Sequence, residues 1–331
     1  MKVLLLGGTG LLGNNVWRLL LGQGHEVTLL VRERGKIDWR DVAEEQRRRT
    51  AVIEGSMLDA ASLFKAATGC EAMVNCTGCT DMGLLRYEDY LPANRDICRL
   101  LVETMERSGT SRLVHVSTAN TVGYGTPERV ADENEPMGEP FASSFYAKSK
   151  KEGEVFLQNY AARHPEKHVV IVCPGFMVGG YDTKPSSGKL LLAAYRKPLM
   201  VCTKGGKSFV HVKDVATATA NAIWLGTSGK KYLLTGDNLS MEEFYALEAR
   251  VMGYRQHMVR LPNWVALAVA KVGDALRYAG VGTQLSTNNV RQLLIREYYD
   301  ASSSVSELKM PRTSLEEAIK DFFARRGKGS G

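Results

Sequence analysis

A glycine turn near the amino terminus constrains the fold of this chain more than any other feature of its sequence. The segment Gly7-Gly-Thr-Gly-Leu-Leu-Gly13 follows a short apolar run, residues 3–6, and opens a helical pattern over residues 11–21. In such a turn the first glycine permits a tight bend, the second lets the backbone approach a pyrophosphate, and the third lets helix and strand pack closely. The helix amino terminus adds N–H donors and the positive end of its dipole. The pattern therefore predicts a dinucleotide site built from Gly7, Thr9, Gly10, Leu11, Leu12 and Gly13.

Short apolar runs continue to alternate with helical patterns along the first half of the chain. This alternation is typical of parallel strands covered by helices on both faces. We predict strands at 3–6, 25–31, 50–54, 72–75, 112–117 and 169–173, and helices at 11–21, 94–107 and 145–160. The predicted fold class is α/β, a Rossmann-type doubly wound parallel sheet with a smaller, mostly helical C-terminal substrate lobe.

The second half is less regular, and we predict that it divides between the sheet domain and the lobe. Helical patterns fall at 188–195, 212–224, 241–251, 263–278 and 314–323, and short strands at 209–212 and 232–234 are predicted to return to the main body. Residues 1–175 are assigned to the dinucleotide-binding domain, with return segments near 209–235, and residues 176–208 and 236–325 to the substrate lobe. Residues 326–331 contain Gly and Ser and are predicted to be a frayed tail.

The apolar residues of the 263–278 helix leave two interpretations open. Trp264, Leu267, Val272 and Leu276 recur at helical spacing, and such stripes usually mark core packing. A lid over an apolar substrate is the alternative. The basic residues Lys271 and Arg277 are too few to predict a helix that lies on a membrane surface.

Charge, cysteines and apolar stretches exclude several classes of protein. The formal net charge is +7, but the basic cluster within 32–49 also carries five acids, which predicts a solvated loop and no nucleic-acid partner. The six cysteines have no zinc-ligand spacing, so no metal site is predicted. No apolar stretch approaches the ~18 residues of a transmembrane helix. Without a signal peptide before the first predicted strand, we expect a reducing, cytoplasmic location.

The end of the second predicted strand selects the cofactor. Val31 stands where an acid would accept hydrogen bonds from the adenosine ribose of NAD, and Arg32 and Arg34 follow it. A guanidinium pairs well with a 2′-phosphate, so the sequence favours NADP(H). Glu33 leaves NAD(H) open as the alternative.

Tyr146 and Lys150 are four residues apart on a predicted helix and therefore share one face. A cation ~4 Å from a phenol contributes up to ~4 kcal/mol at an effective dielectric of ~20, or roughly three pKa units. We therefore expect Lys150 to lower the pKa of Tyr146 towards general acid–base use. The strand before this helix ends in Ser117 and Thr118, at the sheet edge where ligands bind. Either hydroxyl is a candidate partner for a substrate oxygen.

This ordered set resembles the extended short-chain dehydrogenase/reductase family, part of the NAD-dependent epimerase/dehydratase superfamily, over nearly the whole chain. The matching motifs are the glycine turn, Asn94 within 92–96, Thr118 within 117–123, Tyr146 and Lys150, Pro174 within 173–179, and the segment 209–216. The closing pattern at 298–318 is most similar to bacterial reductases related to dihydroflavonol 4-reductase and 3β-hydroxysteroid dehydrogenase.

The resemblance implies hydride transfer between NADP(H) and the carbonyl or alcohol of a small, apolar aldehyde or ketone of flavonol-, steroid- or aldehyde-like type. Tyr146 would exchange the proton, Lys150 would lower its pKa and hold the nicotinamide ribose, Thr118 would orient the carbonyl and Asn94 would support a water relay. Further cofactor contacts are assigned to Arg32, Arg34, Ser56, Met57, Thr77, Gly78, Pro174 and Phe176, and substrate contacts to Thr80, Ala119 and Tyr181.

Two alternative functions stay open, and the resemblance also predicts an assembly state. A nucleotide-sugar epimerase or dehydratase of the same superfamily would retain NAD, and a non-enzymatic regulator would only sense the dinucleotide. The intact set of Thr118, Tyr146 and Lys150 favours an enzyme. The resemblance also implies a homodimer formed through the helices at 94–107 and 145–160.

Overall fold

A seven-stranded, fully parallel sheet forms the centre of the protein. The computed structural model describes residues 1–182 and 187–326. Along the sheet the strands follow the order β10-β6-β5-β4-β1-β2-β3. They are β1 (Lys2–Leu6), β2 (Glu26–Val31), β3 (Thr50–Glu54), β4 (Ala72–Asn75), β5 (Arg112–Val116), β6 (His168–Pro174) and β10 (Lys231–Leu234). This order is that of a doubly wound dinucleotide-binding sheet with one added edge strand, and it confirms the predicted fold class.

Helices cover both faces of the sheet, as continuous apolar strands require. On one face α1 (Leu11–Gly22) packs against α7 (Val212–Asn221) over a core that includes fully buried Trp17. The opposite face carries α3 (Ala60–Ala67), α4 (Ile97–Ser108) and α5 (Phe145–Arg163). A short helix, α2 (Glu44–Arg48), precedes β3. Because both faces are buried, the carboxyl ends of the strands form the edge that is open to a ligand.

The region predicted to be the substrate lobe contains a small sheet, a two-stranded ribbon and six helices of the described chain, of which Ser302–Glu307 packs on β10 of the main sheet. Its sheet contains β7 (Phe176–Val178), β9 (Gly206–His211), β11 (Asp237–Ser240) and β13 (Arg296–Glu297). The ribbon pairs β8 (Leu199–Cys202) with β12 (His257–Arg260) in parallel. The helices are α6 (Gly188–Ala194), α8 (Met241–Met252), α9 (Asn263–Tyr278), α10 (Thr287–Leu294), α11 (Ser302–Glu307) and α12 (Leu315–Arg326). Stacked Phe209 and Phe244, with ring centroids 4.1 Å apart, lie in the lobe core.

Two predicted elements differ from the structure. The strand predicted at 209–212 pairs within the small sheet, and only 231–234 joins the main sheet, because glycines at 205 and 206 bring β9 against β13 and β11. The helix predicted from residue 94 begins as a π-helical turn, Pro92–Asp96, before α4. Most of the predicted tail, residues 327–331, lies outside the described residues.

Most of the large apolar side chains of α9 are exposed, which departs from the favoured interpretation of this helix, although Leu267 is partly buried against a small core cluster. Of the apolar side chains of α9, only those of Ala266 and Ala270 are buried. They form a cluster with Val290 of α10. Trp264 is 73% exposed and Val272 is 62% exposed. The helix forms where its period predicts it. It packs on the rest of the protein through its small residues, because Gly273 lies against the backbone of Leu285.

Glu248 on α8 is a buried carboxyl whose protonation controls stability. It is fully buried, Tyr254 donates its hydroxyl to Oε1 at 3.1 Å, and Oε2 has no partner among the described residues. Burial raises its pKa to about 8 from an ordinary 4.5. Between these pH values the folded state keeps a proton that the unfolded chain has lost, so stability falls as pH rises, by at most about 1.4 kcal/mol per pH unit.

Glu248→Gln should therefore be more stable than the wild type at pH 8, by on the order of 2–3 kcal/mol, with little difference near pH 5. The amide keeps the shape of the carboxyl and removes the charge. Urea unfolding at several pH values between 5 and 8 measures this. Glu242→Gln is the control and should leave the pH slope unchanged, because Glu242 lies on the same helix, is partly exposed and pairs with Arg260 of β12. Parallel pH profiles for wild type and Glu248→Gln would contradict the assignment.

Candidate active site

The glycine turn has the geometry that a close backbone approach demands. Gly7 has a φ of +81°, which favours glycine, and its carbonyl accepts the N–H of Gly10 at 2.9 Å. A Cβ on Gly13 would lie 2.1 Å from the Gly7 oxygen. Because no side chain fits there, α1 starts directly against the turn and directs its first N–H groups along the carboxyl edge of the sheet.

A cleft of about 570 Å³ extends from this turn along the carboxyl edge of the sheet. Its walls are formed by the ends of β1, β2, β4, β5 and β6 and by α5. Of the predicted cofactor and catalytic residues, the following line it: Thr9, Gly10, Leu11, Leu12, Arg32, Thr77, Gly78, Thr118, Tyr146, Lys150 and Pro174. The glycine cradle at one end and the tyrosine at the other fit an extended dinucleotide.

The end of β2 places two of its charged residues in this cleft and turns a third away. Arg32 and Glu33 both line the cleft, as does Lys36, which forms an ion pair with Glu33. Arg34 instead donates to the Val52 carbonyl at 2.9 Å and lies 3.7 Å from Glu54, on the outer side of β3. Arg34 therefore lies outside the cleft in this structure, because its guanidinium is held at β3 by the Val52 carbonyl and Glu54.

Three further predicted contacts lie outside this cleft. Ser56 accepts the N–H of Leu58 at 3.2 Å, and Met57 packs against the core. The nearby Asp59 caps α3 through Ser62. Phe176 lines the neighbouring, larger cavity. Cleft residues that the sequence did not single out are Lys36, Cys76, Val116, Gly175, Met177 and Asp182.

Thr118, Tyr146 and Lys150 come together where β5 ends beside the first turns of α5. The hydroxyl of Thr118 faces the phenol of Tyr146 and acts to lower the pKa of that phenol. Lys150 is buried and donates from Nζ to the carbonyl of Val116 at 2.9 Å and to that of Thr77 at 3.1 Å. The lysine thus bridges the ends of β5 and β4, one helical turn from the tyrosine.

The expected effect of Lys150 on Tyr146 is not present in this structure. Burial raises the pKa of Tyr146 to about 12, and the Thr118 hydroxyl opposes that rise only in part. Burial also lowers the pKa of Lys150 itself. Desolvation is the largest influence on the pKa of the phenol, and the ammonium of Lys150 is engaged by two backbone carbonyls. The phenol is therefore protonated near neutrality, as a proton donor requires.

Asn94 supports this site through the backbone of the neighbouring turn. Its Oδ1 accepts the Cys79 N–H at 2.8 Å, and its Nδ2 donates to the Cys79 carbonyl at 3.0 Å and to Ser149 Oγ at 2.9 Å. A Cβ on Gly78 would lie 2.9 Å from Lys150 Nζ. With every polar atom of its side chain engaged, Asn94 holds the 76–79 turn against Lys150, which is a positioning role.

Ser117 and Thr118 are distinguished by a buried carboxylate. Ser117 donates to Glu154 Oε1 at 2.5 Å, and Thr121 donates to the same oxygen. Glu154 is fully buried, and Lys151 lies 3.5 Å from its other oxygen. Because Ser117 is committed to this network, Thr118 is the hydroxyl available to a substrate oxygen.

A second cavity of about 1020 Å³ adjoins the cleft and shares Leu11, Thr80, Thr118 and Tyr146 with it. Apolar side chains, among them Met82, Phe176 and Leu293, form much of its wall. Its polar groups include the ion pair of Lys207 with Glu297 at 2.6 Å. Gln292 and Tyr299 also line it, and Gln292 Nε2 and Tyr299 Oη are buried without a hydrogen-bond partner among the described residues.

Of the three predicted substrate contacts, Thr80 and Ala119 line this cavity and Tyr181 does not. Tyr181 is buried between the guanidinium groups of Arg18 and Arg325, 3.9 and 4.3 Å from its ring, and its hydroxyl donates to Asp41. Its φ of +66° turns the side chain towards α1 and α12. Tyr181 therefore lies away from this cavity, and its assignment to substrate stays a prediction.

The part of the chain that the structure describes contains no disulfide, no candidate metal cluster and no helix that could span a membrane. All six cysteines are free, and burial raises the pKa of Cys76 to about 12. No cluster of three potential metal ligands occurs among residues 1–182 and 187–326. Within the same residues, none of the helices combines the length and apolarity needed to cross a bilayer.

Comparison with known proteins agrees with this geometry. The model of the NAD-dependent epimerase/dehydratase family matches residues 3–234. A putative dihydroflavonol 4-reductase from Synechocystis sp. is 26% identical over 329 residues, covering 95% of this chain and 91% of that protein. Sterol demethylase protein B from Methylococcus capsulatus is 25% identical over 336 residues, covering 99% of each.

The fold is also that of solved enzymes. The crystal structure of a dTDP-glucose 4,6-dehydratase from Streptomyces venezuelae with NAD bound superposes with a TM-score of 0.76, at 18% identity, covering 100% of this chain and 99% of that one. The chain therefore belongs to the NAD-dependent epimerase/dehydratase family, as an oxidoreductase of the extended short-chain dehydrogenase/reductase type.

Proposed function

We propose that the protein is an NADP(H)-dependent reductase or dehydrogenase that interconverts a carbonyl and an alcohol on a mainly apolar substrate. One observation carries the proposal: Thr118 and Tyr146 line both the dinucleotide cleft and the larger cavity. A substrate carbonyl in the larger cavity would therefore reach the phenol and the cofactor at the same point. Positioning of this kind is the main rate contribution a protein makes to hydride transfer.

Each residue of the site has a role in this reaction. The bound nicotinamide supplies or accepts the hydride. Tyr146 donates its proton to the carbonyl oxygen during reduction, and its raised pKa keeps that proton in place until transfer. Thr118 orients the substrate oxygen, and Lys150, held by two carbonyls, fixes the floor of the cleft and would hold the nicotinamide ribose.

The larger cavity favours a substrate of flavonoid or steroid size. Its volume of about 1020 Å³ is at the upper end for ligand sites, which commonly measure ~300–1,000 Å³. Its apolar wall suits a fused or aromatic ring system, and polar side chains such as Gln292 and Tyr299 are part of its lining. Two relatives carry names, dihydroflavonol reductase and sterol demethylase protein, that fit substrates of this size.

NADP(H) is proposed because Arg32 lines the cleft at the end of β2. Arg32→Ala should weaken NADPH binding about 10- to 100-fold and leave NADH binding nearly unchanged, because a charge-assisted hydrogen bond contributes ~1.5–3 kcal/mol. Titration of both nucleotides by nicotinamide fluorescence measures this. Arg34→Ala is the matched control and should change neither, since Arg34 is turned to Glu54 and Val52. Equal losses for both nucleotides in Arg32→Ala would remove Arg32 as the selector.

The function itself is tested by offering aromatic and steroidal ketones with each nucleotide and following nicotinamide absorbance. Turnover with NADPH is the expected result. If NAD copurifies tightly, and the protein turns over nucleotide sugars but no ketones, the proposal is replaced by an epimerase or dehydratase. That outcome would agree with the presence of Glu33 and Lys36 in the cleft. Nucleotide binding without any turnover would indicate a dinucleotide sensor. The homodimer and the cytoplasmic location stay predictions.

A further inference from the structure

The exposed side of α9 is an apolar surface with nothing of the described chain packed on it. We define the lobe patch as Trp264, Val269, Val272, Leu276, Val281 and Leu285. Their exposed fractions run from 43% for Leu276 to 73% for Trp264. Val269, Val272 and Leu276 share one helix face by their spacing. Contiguous exposed apolar side chains of this kind mark an interaction site rather than ordinary surface.

The segments that form the lobe patch and the ribbon before it are mostly basic, and one of their arginines, Arg260, pairs with Glu242 of α8. The segments 195–204 and 254–296, which contain the ribbon, α9 and α10, hold nine basic residues and one acidic residue, Asp274. The whole chain carries +7, so the remainder is close to neutral. Asp274 is turned to α10, where it accepts the Thr287 N–H at 2.9 Å and the Thr287 hydroxyl. Lys271 and Arg291 are exposed and have no carboxylate within ion-pair distance in the described residues.

We propose that the lobe patch docks on an anionic lipid surface. Apolar side chains, a tryptophan at the start of the helix and a basic surround are what interfacial helices use. The sequence alone offered only Lys271 and Arg277 as basic anchors; the structure adds the basic residues of the ribbon that leads directly into α9. A second copy of this chain fits less well, because an isologous contact would set two strongly basic surfaces against each other.

The lobe patch is continuous with the lip of the larger cavity. Leu285 belongs to both, and Leu293 of α10, 43% exposed, also lines the cavity. Arg277 fixes α9 to the loop at that cavity by donating to the carbonyls of Leu84 at 2.6 Å and Thr283 at 2.8 Å. Docking would therefore place the cavity beside the bilayer, where an apolar substrate is concentrated. That consequence rests on the proposed function, whereas lipid binding does not.

Co-sedimentation with vesicles tests the proposal without substrate or nucleotide. The intact protein should bind phosphatidylcholine vesicles that contain phosphatidylserine, bind phosphatidylcholine alone weakly, and be released near ~1 M salt, where charges are screened beyond ~3 Å. Val272→Asp should abolish binding, since a charge replaces an apolar group at the interface. The double variant Lys271→Glu, Arg291→Glu should weaken vesicle binding at least about 25-fold, because each basic side chain near an anionic surface contributes about fivefold in affinity.

Control variants separate docking from folding. Leu225→Asp, at a residue after α7 that is 37% exposed, should keep both vesicle binding and melting temperature. Trp264→Phe should keep binding but lose the blue shift of tryptophan emission on vesicle addition. Absence of binding to anionic vesicles, equal loss in Leu225→Asp, or a dimer in light scattering that Val272→Asp dissociates would overturn the proposal. Turnover of a water-soluble ketone without vesicles reports on the proposed function separately.

Discussion

Tyr146→Phe is expected to lower kcat by about 10²- to 10⁴-fold while the affinity for the nicotinamide nucleotide stays within about twofold, because only the transferred proton is removed. The ring remains to line the cleft and the cavity. Steady-state kinetics with a reducible ketone, together with nucleotide titration, measures both quantities. The expected effect is large because, under the proposed function, the phenol at the junction of the two cavities donates the proton.

Tyr160→Phe is the matched control for that experiment. Tyr160 lies on the same helix, is buried, and donates its hydroxyl to Glu106 away from both cavities. Its loss should lower stability slightly and leave kcat unchanged. A Tyr146→Phe enzyme with wild-type kcat would show that the proton comes from another group, with Thr118 as the next candidate.

Gly13→Val should disrupt the nucleotide site and destabilise the fold by about 3 kcal/mol, the upper end for overpacking. Even the first carbon of the new side chain would lie 2.1 Å from the Gly7 oxygen and 2.6 Å from the Gly7 carbonyl carbon, so α1 must move away from the turn. That movement displaces the N–H groups that face the cleft, and we expect loss of NADPH binding of at least about 100-fold. Thermal unfolding and nucleotide titration measure the two effects.

Gly22→Ala controls for the helix itself. Gly22 is the last residue of α1, and a Cβ there meets no atom within 4 Å. It should be neutral or stabilising by up to about 1 kcal/mol, because alanine reduces the freedom of the unfolded chain. If Gly13→Val bound NADPH as tightly as Gly22→Ala, the turn would not be the pyrophosphate site.

Local sequence was sufficient where a short segment carries its own geometry. The turn at residues 7–13 could be predicted because glycine spacing decides backbone approach within one strand–turn–helix unit. Tyr146 and Lys150 could be placed on one face because four residues make about one helical turn. The parallel sheet followed from the alternation of apolar runs with helical periods, and the observed strands of that sheet lie within two residues of the predicted ones.

Side-chain direction at the ends of elements could not be predicted from the sequence. Arg32 and Arg34 are two residues apart, yet one lines the cleft and the other pairs with Glu54. Tyr181 was assigned to substrate from its place in the chain, but its positive φ turns it towards Arg18 and Arg325. Such choices depend on partners elsewhere in the chain, on the next strand for Arg34 and more than 100 residues away for Tyr181, which local patterns do not contain.

The presence of the parallel sheet, the glycine turn and the Thr118–Tyr146–Lys150 set can be predicted from the sequence, because each depends on spacing within one segment or on the order of segments. The direction of the Tyr146 pKa shift follows only from the folded structure, since desolvation depends on everything that packs around the phenol. The folded structure alone also decided that the stripe of α9 faces outwards, because helical period fixes which residues share a face and packing fixes what that face meets.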